Sequence, residues 1–140
     1  MGRSIAGVVV GVIVGAVLVL IVEFIGHRAF PPMTPLDVGD ANAVKALPLG
    51  AKVALLIAWA AGAFGGGAAA LIIAKRWAPV AWLVAATILL FAASNFLSFA
   101  HPLWMVIGSV PAAALGGWLA IIATRADYRS PRPPAKTLIL

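Results

Sequence analysis

The chain has 140 residues, of which 64% are hydrophobic and only 10% are charged, with no cysteine and a formal net charge of +6. This composition and a mean hydropathy of +1.10 exclude an ordinary soluble domain and indicate an integral membrane protein. The lack of cysteine excludes disulfides and thiolate metal sites, and no nucleic-acid-binding motif accompanies the positive charge. We therefore expect membrane lipids, and no nucleic acid, as partners.

Four apolar segments are candidates for membrane-spanning helices, each of which needs about 20 residues. Residues 77–124 contain no Lys, Arg, Asp or Glu. As one helix they would extend about 70 Å, more than twice the hydrocarbon thickness of about 30 Å. This segment must therefore fold back, and His101-Pro102 is the natural turn because proline disfavours helical geometry in the residue before it. The predicted spans are residues 4–27, 50–75, 77–99 and 102–124.

The first span is predicted to be a retained helix and not a cleaved signal peptide. Its apolar run is longer than the usual signal-peptide core of about 7–15 residues, and no A-x-A-like cleavage site precedes His27 and Arg28. The predicted fold class is therefore all-α, an integral membrane bundle of four transmembrane helices formed by residues 1–126.

Basic residues near the ends of the spans predict the orientation, because Lys and Arg accumulate on the cytoplasmic side. Both termini are expected in the cytoplasm, with residues 28–49 forming the outer loop of a multi-pass protein of the bacterial inner membrane. The cytoplasmic side then carries Arg3, Lys75, Arg76, Arg125, Arg129, Arg132 and Lys136. The outer side carries Arg28, Lys45 and Lys52, diluted by Asp37 and Asp40.

The outer loop begins with the proline-rich stretch PPMTP at residues 31–35, which cannot be helical throughout. Asp40 is placed to cap a short helix over residues 41–47, which Pro48 would end. The apolar side of this helix would face the bilayer surface or the top of the bundle. Because the loop has few polar side chains, we expect it to be a lid or spacer and not a substrate site.

Small residues at every fourth position give three of the spans a smooth stripe. In lipid, such stripes allow helix backbones to approach closely and gain dispersion contacts. Packing within the bundle is the simpler interpretation, and a homodimer interface remains open as the alternative. The stripes are Gly7, Gly11 and Gly15 in the first span, Ala58, Gly62, Gly66 and Ala70 in the second, and Gly108, Ala112, Gly116 and Ala120 in the fourth.

A polar layer is predicted at the outer end of the bundle. Glu23 and His27 share one helix face because they are four residues apart, and Asn95, Ser98 and His101 are expected at the same depth. Ionisable groups inside a membrane are costly and often functional. The layer can be a hydrogen-bonded cap, a proton- or ion-linked transport site, or a metal or haem site that uses Glu23, His27 and His101.

No catalytic residue is predicted. Ser94, Ser98 and Ser109 lack a nucleophile motif, and residues 65–67 are glycines inside an apolar span, where phosphate binding is implausible. We expect no enzymatic activity and no resident cofactor unless the polar layer holds a metal or haem. The predicted function is a structural or accessory component of a membrane assembly, with other membrane subunits or a second copy as partner. A small proton- or ion-coupled transporter is the alternative.

Several short motifs lie between residues 5 and 123. They are Glu23-x-x-Gly26-His27, Pro31-Pro32, Leu47-Pro48, Trp59-x-x-Gly62, Asn95, His101-Pro102-x-Trp104 and Pro111-Ala112. This pattern resembles a group of small, functionally uncharacterised four-helix proteins of the bacterial inner membrane. The resemblance implies the four-span topology and the Glu–His layer, and it implies no activity.

Residues 127–140 are predicted to form a basic, proline-rich cytoplasmic tail. This segment is too polar and too rich in proline to build a core. Either the anionic membrane surface attracts Arg129, Arg132 and Lys136, or a neighbouring subunit receives residues 138–140. We favour the subunit because attraction to lipid localises a chain without fixing its conformation.

Fused reporters test the predicted topology. A reporter that works only in the cytoplasm should be active after Leu140, and a reporter that works only outside it should be active when inserted at Gly39. A C-terminal reporter that is active only outside the cytoplasm would overturn the orientation.

Overall fold

The computed structural model describes residues 2–33 and 39–129, so Asp37 in the loop and residues 130–140 of the tail lie outside the described residues. Four of the helices in these ranges are long and apolar enough to cross a membrane. The predicted all-α class and the four candidate spans are thus confirmed. The helices are α1 Gly2–Ala29, α2 Ala43–Ala46, α3 Leu49–Ile73, α4 Pro79–Ser98 and α5 Leu103–Thr124.

The turn between α3 and α4 is longer than the sequence predicted. Lys75 and Arg76 adopt left-handed backbone conformations, with φ of 55° and 62°, which end the helical path just after Ala74. Pro79 then occupies the first turn of α4, where its missing N–H breaks no helical hydrogen bond. The second and third spans are therefore separated by a structured turn and do not meet at residues 75 and 77.

Helix α3 lies at the centre of the bundle and packs against α1, α4 and α5. Its contact with α1 is a close approach of two backbones. A Cβ atom added to Gly11 would lie 2.6 Å from the carbonyl oxygen of Gly66, and one added to Gly15 would lie 2.8 Å from that of Gly62. The stripes of the first two spans therefore pack against each other within one chain. The facing pairs are Gly7 with Ala70, Gly11 with Gly66 and Gly15 with Gly62.

Helix α5 packs against α3 and α4 through the second half of its stripe. A Cβ on Gly116 would collide with the carbonyl of Ala60 and lie 2.9 Å from the Cβ of Ala63. Gly108 is less constrained, since a Cβ there would meet Leu56 at an ordinary 3.4 Å. Of these two positions, only Gly116 therefore requires glycine.

The loop end of the bundle is the end formed by α2 and the α4–α5 turn. Helix α2 is shorter than the predicted helix, and Asp40 is not its N-cap: the N-cap is Asn42, whose backbone N–H donates to the Asp40 carboxylate at 2.8 Å in the preceding turn. The backbone N–H of Ala100 donates to the carbonyl of Ala41, at 2.7 Å, and Leu47 is only 7% exposed. The loop therefore packs onto the bundle and the α4–α5 turn.

The basic end is the opposite end, formed by the α3–α4 turn and the C-terminus of α5. The backbone N–H of Asp127 donates to the carbonyl of Arg76 at 2.9 Å, and the Asp127 carbonyl accepts the N–H of Ala78 at 2.8 Å. The Tyr128 hydroxyl also accepts the indole N–H of Trp82, at 2.9 Å. The start of the sequence-defined tail is therefore bonded to the helical domain, beyond the predicted boundary at residue 126.

The α1–α3 contact predicts that a Gly→Ala substitution lowers the stability of the protein at some positions and not at others. Gly66→Ala should destabilise the protein by about 1–3 kcal/mol, because the new Cβ would overlap the backbone of Gly11 and the bundle would have to separate. Gly108→Ala is the matched control and should not destabilise the protein, and helix propensity should stabilise this variant by up to about 1 kcal/mol. Unfolding in mild detergent measures both, and equal losses for the two variants would contradict the packing.

Candidate functional site

A cleft of about 230 Å³ lies between α1 and α4 in the half of the bundle near the loop end, with α3 as its floor. Toward the basic end, the absence of side chains at Gly11 and Gly15 brings α1 close to Val84 and Ile88 of α4. Beyond Gly15 the same face of α1 carries larger side chains, and these line the cleft. The lining residues are Ala16, Val19, Leu20, Glu23, Trp59, Ile88, Phe91 and Asn95.

Glu23 and Asn95 are the polar residues of this lining. Both side chains are partly buried. Among the described residues, neither the Glu23 carboxylate nor the Asn95 carboxamide makes a hydrogen bond or a salt bridge. The polar atoms of both side chains remain accessible in the open cleft, so a hydrogen-bonding or charged group that enters it can reach both of them.

The cleft is polar near its outer mouth and apolar below it. At 1.5 Å per residue, Glu23 lies about 9 Å from the end of α1 and Asn95 about 5 Å from the end of α4. Ala16 and Ile88 lie about two turns deeper along the same helices. The polar pair is therefore close to the membrane interface expected at the loop end, and the deeper part of the cleft is apolar.

His27 lies outside the cleft, on the exposed side of α1. Its Nδ1 donates a hydrogen bond of 2.8 Å to the backbone carbonyl of Glu23. The expected proximity of the two residues is thus present, and the hydrogen bond goes to the backbone of Glu23 and leaves its carboxylate without one. The next residue, Arg28, lies over the ring of Phe24 at 5.1 Å, which adds a cation–π contact at this helix end.

His101 lies at the end of a row of aromatic rings and does not line the cleft. Its Nδ1 donates to the carbonyl of Phe99 at 2.8 Å, and its ring meets Phe96 edge-on at 4.8 Å. Phe96 in turn meets Trp59, a wall of the cleft, at 5.3 Å. The Nε2 atom of His101 is buried and has no hydrogen-bond partner in the described part of the chain.

The predicted polar layer is thus divided between three environments. Glu23 and Asn95 share the cleft, His27 faces outward, and His101 packs beside aromatic rings. Ser98 is exposed and donates to the carbonyl of Ser94 in its own helix. Within residues 2–33 and 39–129, no group of three or more His, Cys, Asp or Glu side chains could hold a metal ion, so Glu23, His27 and His101 do not assemble there as ligands.

Sequence reasoning did not assign Trp59 or Phe91 to this site. Trp59 is 2% exposed and forms an internal wall of the cleft. Phe91 is 49% exposed and lies at the open rim of the cleft. Phe91 could have been assigned to the site from its spacing, because it lies four residues before Asn95 and therefore on the same face of the third span. No comparable signal linked Trp59 to Glu23, because the two residues come from different helices.

Comparison of the chain with protein-family models, with curated proteins and with solved structures gives no match. The resemblance to small four-helix inner-membrane proteins therefore remains a prediction. The geometry of the cleft is the observation that bears on function.

The unpaired state of Glu23 gives a stability prediction that separates a structural cap from a binding site. Glu23→Leu should leave the free energy of unfolding of the isolated protein unchanged or raise it, because no hydrogen bond to the described residues is lost and a polar group is removed from an apolar cleft. Trp59→Ala is the reference and should cost about 3–5 kcal/mol through loss of buried packing. A loss above about 1 kcal/mol for Glu23→Leu in detergent would make Glu23 a structural residue.

Proposed function

We propose that this protein is a non-enzymatic accessory subunit of a membrane assembly, and that its cleft receives a polar side chain from a transmembrane helix of a partner protein. The observation that supports this function is the pair of unpaired polar side chains, Glu23 and Asn95, in a cleft between two membrane-spanning helices. The charge pattern of the chain favours a bacterial inner-membrane location with both termini in the cytoplasm.

The chemistry of the two side chains defines what would fit. A carboxylate accepts hydrogen bonds and attracts positive charge, whereas a carboxamide both donates and accepts. A Lys or Arg side chain, or a hydroxyl from a neighbouring helix, would satisfy Glu23 and remove the cost of an unpaired acid in the membrane. The proposed partner therefore carries a basic or hydroxyl residue about 9 Å from one end of a membrane helix, at the depth of Glu23.

The size and position of the cleft favour a side chain over a complete substrate. Its volume of about 230 Å³ is below the roughly 300–1,000 Å³ that is usual for small-molecule pockets. Its rim includes Leu20, which is 64% exposed, and Phe91, so the cleft is open sideways toward the position of a neighbouring helix.

Helix α1 supplies apolar surface beside the cleft. It packs against α3 and α4, and its remaining faces carry exposed aliphatic and aromatic side chains. A partner helix could cover this surface while its polar residue enters the cleft. The exposed large residues of α1 include Ile13, Val17, Leu20, Ile21, Phe24 and Ile25.

Proton- or ion-coupled transport is a second candidate, and the same unpaired carboxylate favours it. A membrane carboxylate that faces an open cleft can bind and release a proton or a cation. In this case the isolated protein in proteoliposomes should show flux coupled to a pH gradient, and Glu23→Gln should abolish it. Such flux in the absence of any partner would replace the accessory proposal.

Site-specific photocrosslinking in native membranes tests the accessory function. A photoreactive residue at Phe91 should give one defined protein adduct, and one at Ile107, which is 63% exposed on α5, is the control and should not give it. Adding Glu23→Leu should reduce the Phe91 adduct at least about 5-fold, the effect of losing about 1 kcal/mol of pairing.

The crosslinked peptide, identified by mass spectrometry, should belong to a membrane helix with a basic or hydroxyl residue at the contact. The absence of a defined adduct from Phe91, or an adduct that is insensitive to Glu23→Leu, would contradict the proposed function.

A further inference from the structure

Four basic residues lie together at the basic end, from two distant parts of the chain. Lys75 and Arg76 lie in the α3–α4 turn, and Arg125 and Arg129 flank the segment that pairs with it. All four are exposed. Within the described residues none of their side chains forms a salt bridge.

Main-chain hydrogen bonds fix the spacing of this group. The backbone of Asp127 is bonded to Arg76 and Ala78 on both sides. Because consecutive Cα atoms are about 3.8 Å apart, Arg125 and Arg129 lie within about 8 Å of Asp127 along the chain. The basic group is therefore held by backbone contacts and does not depend on the chance positions of long side chains.

Asp127 is the acidic residue inside this group, and its carboxylate is already engaged. Its Oδ1 atom accepts the backbone N–H of Arg129 at 3.1 Å. One carboxylate among four cations leaves a strong positive potential at the surface, and an anion at this end would be attracted.

The backbone at three of these positions would favour glycine. Lys75, Arg76 and Arg125 have φ between 52° and 62°, a left-handed conformation that costs a non-glycine residue free energy. Helices commonly place glycine at such C-terminal positions. Charged side chains occupy these three positions despite this cost.

Aromatic side chains set the depth of the group in the membrane. The Trp82 indole donates to the Tyr128 hydroxyl, and Trp and Tyr of this kind concentrate at the membrane–water interface. Because Tyr128 follows Asp127 directly, we expect the basic residues at the level of the lipid headgroups.

We infer that the basic end is a binding site for the phosphate group of an anionic lipid. The phosphate lies between the α3–α4 turn and the segment after α5, with Arg76 and Arg125 as its main ligands. Arginine is suited to this role because its guanidinium can donate two parallel hydrogen bonds to phosphate oxygens. This inference is independent of the cleft and of its proposed partner.

Native mass spectrometry of the full-length protein tests the site, with phosphatidylglycerol as the anionic lipid and phosphatidylcholine as the zwitterionic control. The double variant Arg76→Gly with Arg125→Gly removes two charges and relieves the left-handed backbone, so it should remain folded. Each arginine that hydrogen-bonds to the bound phosphate should contribute about a 5-fold gain in affinity. The variant should therefore retain phosphatidylglycerol about 25-fold more weakly.

A charge-matched variant at the loop end, Arg28→Gln with Lys45→Gln, should retain phosphatidylglycerol like the wild type. Equal retention of the two lipids by the wild type, or equal losses for the two double variants, would overturn the inference. Inorganic phosphate at millimolar concentration distinguishes the source of the phosphate group. It should not displace phosphatidylglycerol, and full displacement would make the site one for free phosphate and not for lipid.

Discussion

The close backbone contact between α1 and α3 is the constraint on which the rest of the structure depends. It fixes the rotation of α1, because Gly7, Gly11 and Gly15 must all face α3. The same four-residue spacing continues through Val19 to Glu23, so the face that is closely packed at one end carries a valine and then a carboxylate at the other. Because a helix has 3.6 residues per turn, this row of positions winds around α1, so that it faces α3 at the glycines and the cleft beside α4 at Glu23.

The cleft lies beside a stretch of α1 between two glycines, Gly15 and Gly26, where larger side chains face the bundle. Helices α1 and α3 approach at Gly15, and they approach again at Gly26, where an added Cβ would lie 2.6 Å from that of Ala54. Between these two contacts, Val19 and Glu23 take the place of glycine. Close contacts between α1 and α3 at Gly15 and Gly26 therefore lie on either side of the stretch of α1 that lines the cleft.

Helix periodicity and hydropathy were sufficient to predict the four spans and the similar depth of Glu23 and Asn95. They could not predict the direction of His27, because its ring bonds to the backbone carbonyl of Glu23, a local choice that residue spacing does not encode. They also could not predict the row of rings that joins His101 to Trp59, which requires the relative rotation of α3 and α4. The pairing of Asp127 with a turn about fifty residues earlier could not be predicted either, because no pattern in residues 127–140 points to that turn.

The antiparallel pairing of α1 with α3 has a consequence for biogenesis. Helix α1 is synthesised before α3, so its glycine residues have no α3 partner until α3 has also been made. The pairing of Asp127 with the α3–α4 turn can form only after α5 has been synthesised, and it then ties the end of α5 to the turn that precedes α4.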